Sequence, residues 1–167
     1  MTAINATRSA VAGPLAAIFR VNDDLIATAL GGLSAADLGQ RLTNKNNPIL
    51  WLAGHVAETR RFLLLILGEQ VAIPWGELFS RGVELQEAGR YPSVEEINRV
   101  MEDINNKLYA KLEAFDDEQL AEPAKGVDLP NAKTVADLIA LFAMHDSYHV
   151  GQMGFIRKGL GYPRIAG

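Results

Sequence analysis

Apolar residues recur along this chain with the period of a helix. Leu15, Ile18, Phe19, Leu25, Ile26 and Leu30 fall on one face, and Pro14 suits the first turn of the helix they predict. Gly31 and Gly32 end it. Ser34, with Asp37 three residues on, reads as the N-cap of a short helical segment through about Leu42, followed by a polar loop from Asn44 to Asn47. Pro48 opens a second long pattern, Ile49, Leu50, Leu52, Val56, Phe62, Leu63, Ile66 and Leu67, which Gly68 closes after about five turns.

Periodicity fades from Glu69 to Pro92, where Pro74, Gly76, Gly82 and Gly89 punctuate a stretch long enough to cross the end of a bundle. Ser93 and Glu96 then form a capping-box pair in front of Ile97, Val100, Met101, Ile104, Leu108, Leu112 and Phe115, the third long helix. Asp116 to Asn131 reads as a loop, and Thr134 with Asp137 starts a fourth helix that runs to about Lys158 and ends at Gly159 and Gly161. Four long amphipathic helices without alternating β-branched runs predict an all-α four-helix bundle with a long crossover between the second and third. No internal repeat suggests a solenoid.

Size and charge narrow the classes of function. The chain has 167 residues, which fits one domain over 1–167; a monomer of that size hides roughly 69% of its extended-chain surface and needs neither metal nor disulfide merely to fold. Sixteen Lys plus Arg stand against 20 Asp plus Glu, with no basic block, so a nucleic-acid footprint is not expected. The most apolar run, Phe62 to Leu67, is far short of the roughly 20 residues that cross a bilayer. Met1 to Ala12 lacks the basic start and apolar run of a secretory leader, and the expected location is the cytoplasm. With no cysteine, the chain has no thiolate of its own, no disulfide and no Cys-type zinc site.

Chemistry concentrates on its three histidines, His55, His145 and His149. At about 100° per residue, His145 and His149 lie about 40° apart and one turn up one face of the fourth helix, so both imidazoles reach a common point. That face also carries Leu138, Leu141, Phe142, Tyr148, Gln152 and Ile156, which predicts that it turns inward. His55, in register with Leu52, Val56, Thr59 and Phe62, is expected to point inward from the second helix. Three neutral imidazoles from two helices suit one Zn²⁺ or Ni²⁺ with a coordination position left open. The chain has no His-Glu-x-x-His motif and none of the paired Glu-x-x-His motifs of di-iron bundles.

Around these ligands the candidates are weaker. Glu58 could act as a base or orienting carboxylate, although with Arg60 and Arg61 next to it the run also reads as a solvated flank. Asp146 could accept from an imidazole and fix its tautomer, or lie at the surface. Tyr148 and Gln152 share the histidine face and are candidates to line a substrate pocket; Trp51, one turn before His55, is a candidate for stacking on substrate or for packing. Ala136, Ala140, Ala143, Ser147, Val150 and Gly154 form a small-residue face that would suit a neighbouring helix or a homodimer seam.

The segments Pro48-Ile49-Leu50-Trp51-Leu52-Ala53-Gly54-His55-Val56-Ala57-Glu58 and His145-Asp146-Ser147-Tyr148-His149-Val150-Gly151-Gln152 resemble the two signature stretches of the DinB/YfiT-like superfamily. The layout resembles it over nearly the whole chain, including the Leu-Ser-Ala-Ala-Asp-Leu segment at Leu33 to Leu38. The resemblance implies an up-down-down-up bundle with a metal on His55, His145 and His149. It also implies metal-dependent chemistry on a small molecule, first as an S-transferase or isomerase using a low-molecular-weight thiol. A metal-dependent hydrolase, or a non-catalytic bundle that binds a ligand or partner, are the alternatives.

Overall fold

The computed structural model describes residues 9–80, 82–127 and 129–166; most of the stretch read for a leader lies outside them. The helices are α1 (Ala12–Leu30), α2 (Ala35–Gly39), α3 (Ile49–Ile66), α4 (Val94–Ala114), α5 (Asp117–Ala121) and α6 (Val135–Gly159). Short 3₁₀ turns at Gly76–Phe79 and Ala88–Arg90 lie in the crossover between α3 and α4. Among the described residues there is no strand, only one isolated bridge between Pro123 and Thr134. None of the described helices is long and apolar enough to cross a membrane.

The helix starts are made by local chemistry. Ser93 accepts from the Glu96 backbone while the Glu96 side chain takes the Ser93 backbone N–H, and Thr134 with Asp137 repeats the device at α6. Two elements depart from the sequence reading. The short helix after Ser34 stops at Gly39 instead of Leu42, and Arg41 donates to the backbone carbonyls of Asn44 and Asn46 in the turn beyond it. The loop expected after Phe115 contains α5, started by a capping box between Asp116 and Gln119.

Side-chain pairs fix the direction of each long helix. On α1 and α6, Asn22 meets Ala143 and Ser147, and Ala29 meets Arg157, so these two run parallel. Between α3 and α6, Arg60 pairs with Asp146 while His55 lies by His149, which makes them antiparallel. Arg60 meets Asn105 and, one end further, Glu69 meets Lys111, so α3 and α4 run parallel. Tyr109 with Asp23, and Glu113 with Arg20, set α4 antiparallel to α1. The bundle is therefore up-down-down-up, and the parallel α3 and α4 demand a crossover that travels its full length. Phe19, Leu52, Leu63, Ile104, Leu138 and Met153 are among the side chains that fill its core.

The small-residue face of α6 divides. Ala143 and Val150 are buried, Ser147 exchanges hydrogen bonds with Asn22 of α1, and Ala140 is exposed. The sharper departure is Arg60. Reading it as part of a solvated flank fails, because its side chain is fully buried at the centre of the bundle. It donates to Asp146 at 2.6 Å, and also to Asp23 and Asn105; its guanidinium lies 5.2 Å from the centre of the Phe19 ring. One side chain thereby ties α1, α4 and α6 to α3.

Candidate metal centre

His55 leaves α3 beside the crossover, and Nδ1 donates to the Phe79 carbonyl at 2.7 Å. A carbonyl only accepts, so the proton of that ring sits on Nδ1 and Nε2 keeps its lone pair. The Trp51 ring stacks on the imidazole at 4.8 Å and 13° between planes, which holds its orientation from the other side. Close approach of the crossover depends on Gly54, because a Cβ there would run into the buried Phe79 ring. Gly54→Ala is expected to displace Phe79 and its carbonyl together, at a cost of about 1–3 kcal/mol in stability. Urea unfolding and zinc titration of that variant would check it; an unchanged midpoint would mean that the crossover does not rest on Gly54.

His149 is anchored by the same principle. Nδ1 lies 2.7 Å from Gln152 Oε1, whose own amide donates to the Tyr148 hydroxyl at 3.1 Å. That chain assigns the Nδ1 proton to His149 and leaves Nε2 bare. His145 Nε2 stands 3.1 Å from it, and one nitrogen from each of the three rings falls in a set no more than 4.8 Å across. Three nitrogens at about 2.05 Å from a tetrahedral zinc would be about 3.4 Å apart, so shifts of around an ångström bring the set to ligating distance.

The rings are also prepared electrically. Burial pushes the His149 pKa down to about 4, with His145 and His55 adding to the effect and the Gln152 bond opposing it. Burial likewise lowers His55, against the opposing pull of the Phe79 carbonyl. Both are neutral at pH 7, the form that binds a metal. His55 and His149 are each 8% exposed, whereas the His145 side chain is 32% exposed, so His145 is the ring of the three that lies at the surface.

The remaining candidates fall in different places. Gln152 touches His149 directly; Tyr148, expected inward, is 60% exposed with its ring edge-on to His149 at 5.2 Å. Both border a cavity of about 330 Å³ with Asn46, Asn47, Leu52 and Phe155. Trp51 is buried against His55. Glu58 is held by both ends of the Arg61 guanidinium, at 2.9 and 2.6 Å, and lies under Gly76 of the crossover. Asp146 is fully buried, with Oδ2 on Arg60 and Oδ1 3.9 Å from His145 Nδ1, beyond hydrogen-bond range. The Phe79 carbonyl is part of this centre although nothing in the sequence marks it.

A crystal structure titled as a conserved protein from Enterococcus faecalis superposes with a TM-score of 0.70, covering 92% of this chain and 98% of that one. At 12% identity the likeness is one of fold. No curated protein matches the chain. The DinB superfamily profile matches residues 18–153, a span that takes in α3, the crossover and all three histidines. A bundle of this topology, with a three-histidine group able to hold a metal ion and a family match across most of its length, belongs to the DinB superfamily.

Proposed function

We propose that the protein is a metal-dependent enzyme acting on a small molecule, with one Zn²⁺ or Ni²⁺ on His55, His145 and His149 and a low-molecular-weight thiol as co-substrate. The observation that carries this reading is the set of ligating nitrogens within 4.8 Å, two of them on neutral rings with fixed tautomers and the third on a partly exposed ring. Neutral ligands leave the ion its full charge, and such an ion lowers the pKa of a bound thiol or water until an anionic nucleophile is available near neutral pH.

The chain's own residues do the positioning. Phe79 and Gln152 keep two Nε2 lone pairs aimed at one point, and Trp51 stops the His55 ring from turning. Having no cysteine, the protein offers no competing thiolate, so the nucleophile enters from solution. The neighbouring cavity bordered by Leu52, Tyr148 and Phe155, with Asn46 and Asn47 at hand, is lined by none of the three histidines and adjoins them through Gln152. It suits the body of a substrate with an apolar part and a hydrogen-bonding group.

Tag-free protein, purified without a metal column that could leave nickel behind and then loaded with zinc or nickel, would be offered small thiols with an electrophile. The expected result is metal-dependent thiol consumption that a chelator abolishes. Loaded protein that leaves thiols untouched but cleaves esters or amides would move the assignment to hydrolysis. Loaded protein inert to both would leave a binding bundle.

A further inference from the structure

His145 is the ring whose proton its surroundings leave open. His55 and His149 each give their Nδ1 proton to a fixed acceptor, but His145 Nδ1 is buried without a hydrogen-bond partner. Asp146 Oδ1, also buried and unpartnered, stands 3.9 Å from it. At the opposite corner of the ring, His145 Nε2 is 3.1 Å from the bare Nε2 of His149. Two bare nitrogens at that distance repel, so with no ion between them the His145 proton belongs on Nε2, shared towards His149. A ligating nitrogen cannot keep that proton. Once His145 Nε2 becomes a ligand, the neutral ring carries its proton on Nδ1, where Oδ1 of Asp146 faces it.

Asp146 is fixed and His145 is not. The carboxylate takes a 2.6 Å bond from Arg60 Nε, both side chains being fully buried, and Arg60 is gripped in turn by Asp23 and Asn105. A shift of about an ångström by the partly exposed His145 ring would close the gap to the roughly 2.8 Å of a charge-assisted hydrogen bond. Resting on the three-histidine metal reading, we propose that Asp146, clamped by Arg60, is a positioning residue that accepts the Nδ1 proton of His145 and holds the ring in the Nδ1–H tautomer that ligation through Nε2 requires, as the ring leaves the Nε2–H form. The ring loses one proton to solvent at Nε2 and gains one at Nδ1, so the switch itself releases no net proton.

Long-range proton–nitrogen spectra of the histidine side chains, recorded on protein stripped of metal and then loaded with zinc alone, read each tautomer directly. His145 is expected to change from Nε2–H to Nδ1–H, while His55 and His149 keep Nδ1–H throughout. In Asp146→Asn the amide oxygen would stay with Arg60 and the NH₂ group would turn to His145 Nδ1, holding the wrong tautomer. Zinc affinity should then fall about 10–100-fold, the usual cost of a lost partner behind a metal ligand. A merely structural Asp146 would lower the unfolding midpoint and move neither the affinity of folded protein nor the tautomer. Zinc-loaded protein whose His145 lacks the Nδ1 proton overturns the proposal and leaves the metal reading intact. Ligation through Nε2 alone already puts the proton on Nδ1, so the role of Asp146 is read in the same zinc-loaded wild-type spectra from that proton's hydrogen bond. A far-downfield His145 Nδ1–H supports it. One no more deshielded than the Nδ1–H that His55 gives to the Phe79 carbonyl overturns it, even if Asp146→Asn misfolds. Wild-type protein that takes up no zinc removes the metal reading and the switch together.

Discussion

His149→Ala is expected to cut zinc affinity by roughly a thousandfold, well beyond the ~10–100-fold cost of losing a supporting partner, and to leave the bundle folded. The ring supplies one of three ligating nitrogens, and no other histidine exists in the chain to replace it. Folding does not hang on that ligand, because the core of α1, α3, α4 and α6 is closed by side chains such as Phe19, Leu63, Ile104 and Leu138 that are at most 1% exposed. Elemental analysis of tag-free protein should give about one zinc or nickel per chain in the wild type and next to none in the variant, with matching circular dichroism. Full metal content in the variant would show that the ion binds elsewhere. A variant that unfolds would instead make the ion part of the core, contrary to the burial observed.

How far the sequence carries depends on the range of the chemistry involved. Ser93 with Glu96 and Thr134 with Asp137 bond across three residues, so both helix starts could be read from the chain directly. Asp116 with Gln119 is the same device, but Pro123, Gly126 and Pro130 just beyond it masked the short helix α5. The His145 and His149 pair was legible because i,i+4 spacing is a property of the helix itself. His55 needed the tertiary fold to meet them, and its register within α3 was enough to aim it. What spacing misses is how buried each position is: the inward face of α6 runs through Asp146 and Met153, so His145 sits at its rim and Tyr148 outside it.

Arg60 marks the limit of that kind of reading. Beside Glu58 and Arg61 it looks like one more charge on an exposed turn, yet its side chain is fully buried while those of the Glu58–Arg61 pair keep some contact with solvent. Its partners Asp23, Asn105 and Asp146 are 37, 45 and 86 residues away, too far for local spacing to reveal. The Phe79 carbonyl was invisible for a different reason: every residue has a carbonyl, and only the path of the crossover brings this one to His55.

Arg60→Ala is expected to destabilise the protein by about 3–5 kcal/mol, the range for breaking a buried ion pair by removing one partner. Burial by itself lowers the Arg60 pKa, but the neighbouring Asp146 and Asp23 carboxylates outweigh it and raise it, so the guanidinium keeps its charge. Without Arg60, the buried Asp146 carboxylate loses its countercharge and α3 loses its link to three helices at once. The exposed Arg20–Glu113 pair, with both side chains more than half exposed, provides the contrast: its loss should cost about 0–1 kcal/mol. Urea unfolding of metal-stripped protein measures both, and a loss below about 1 kcal/mol for Arg60→Ala would mean that the clamp contributes little to the fold. Replacing both fully buried partners with apolar side chains, Arg60→Met with Asp146→Leu, should recover part of the stability, since the deepest carboxylate is then gone and the remaining one, Asp23, is partly exposed and keeps its bond from Tyr109. That double variant keeps the bundle and removes the group that faces His145 Nδ1, so weakened zinc binding in a protein of partly restored stability would separate the clamp's structural role from its role at the metal centre.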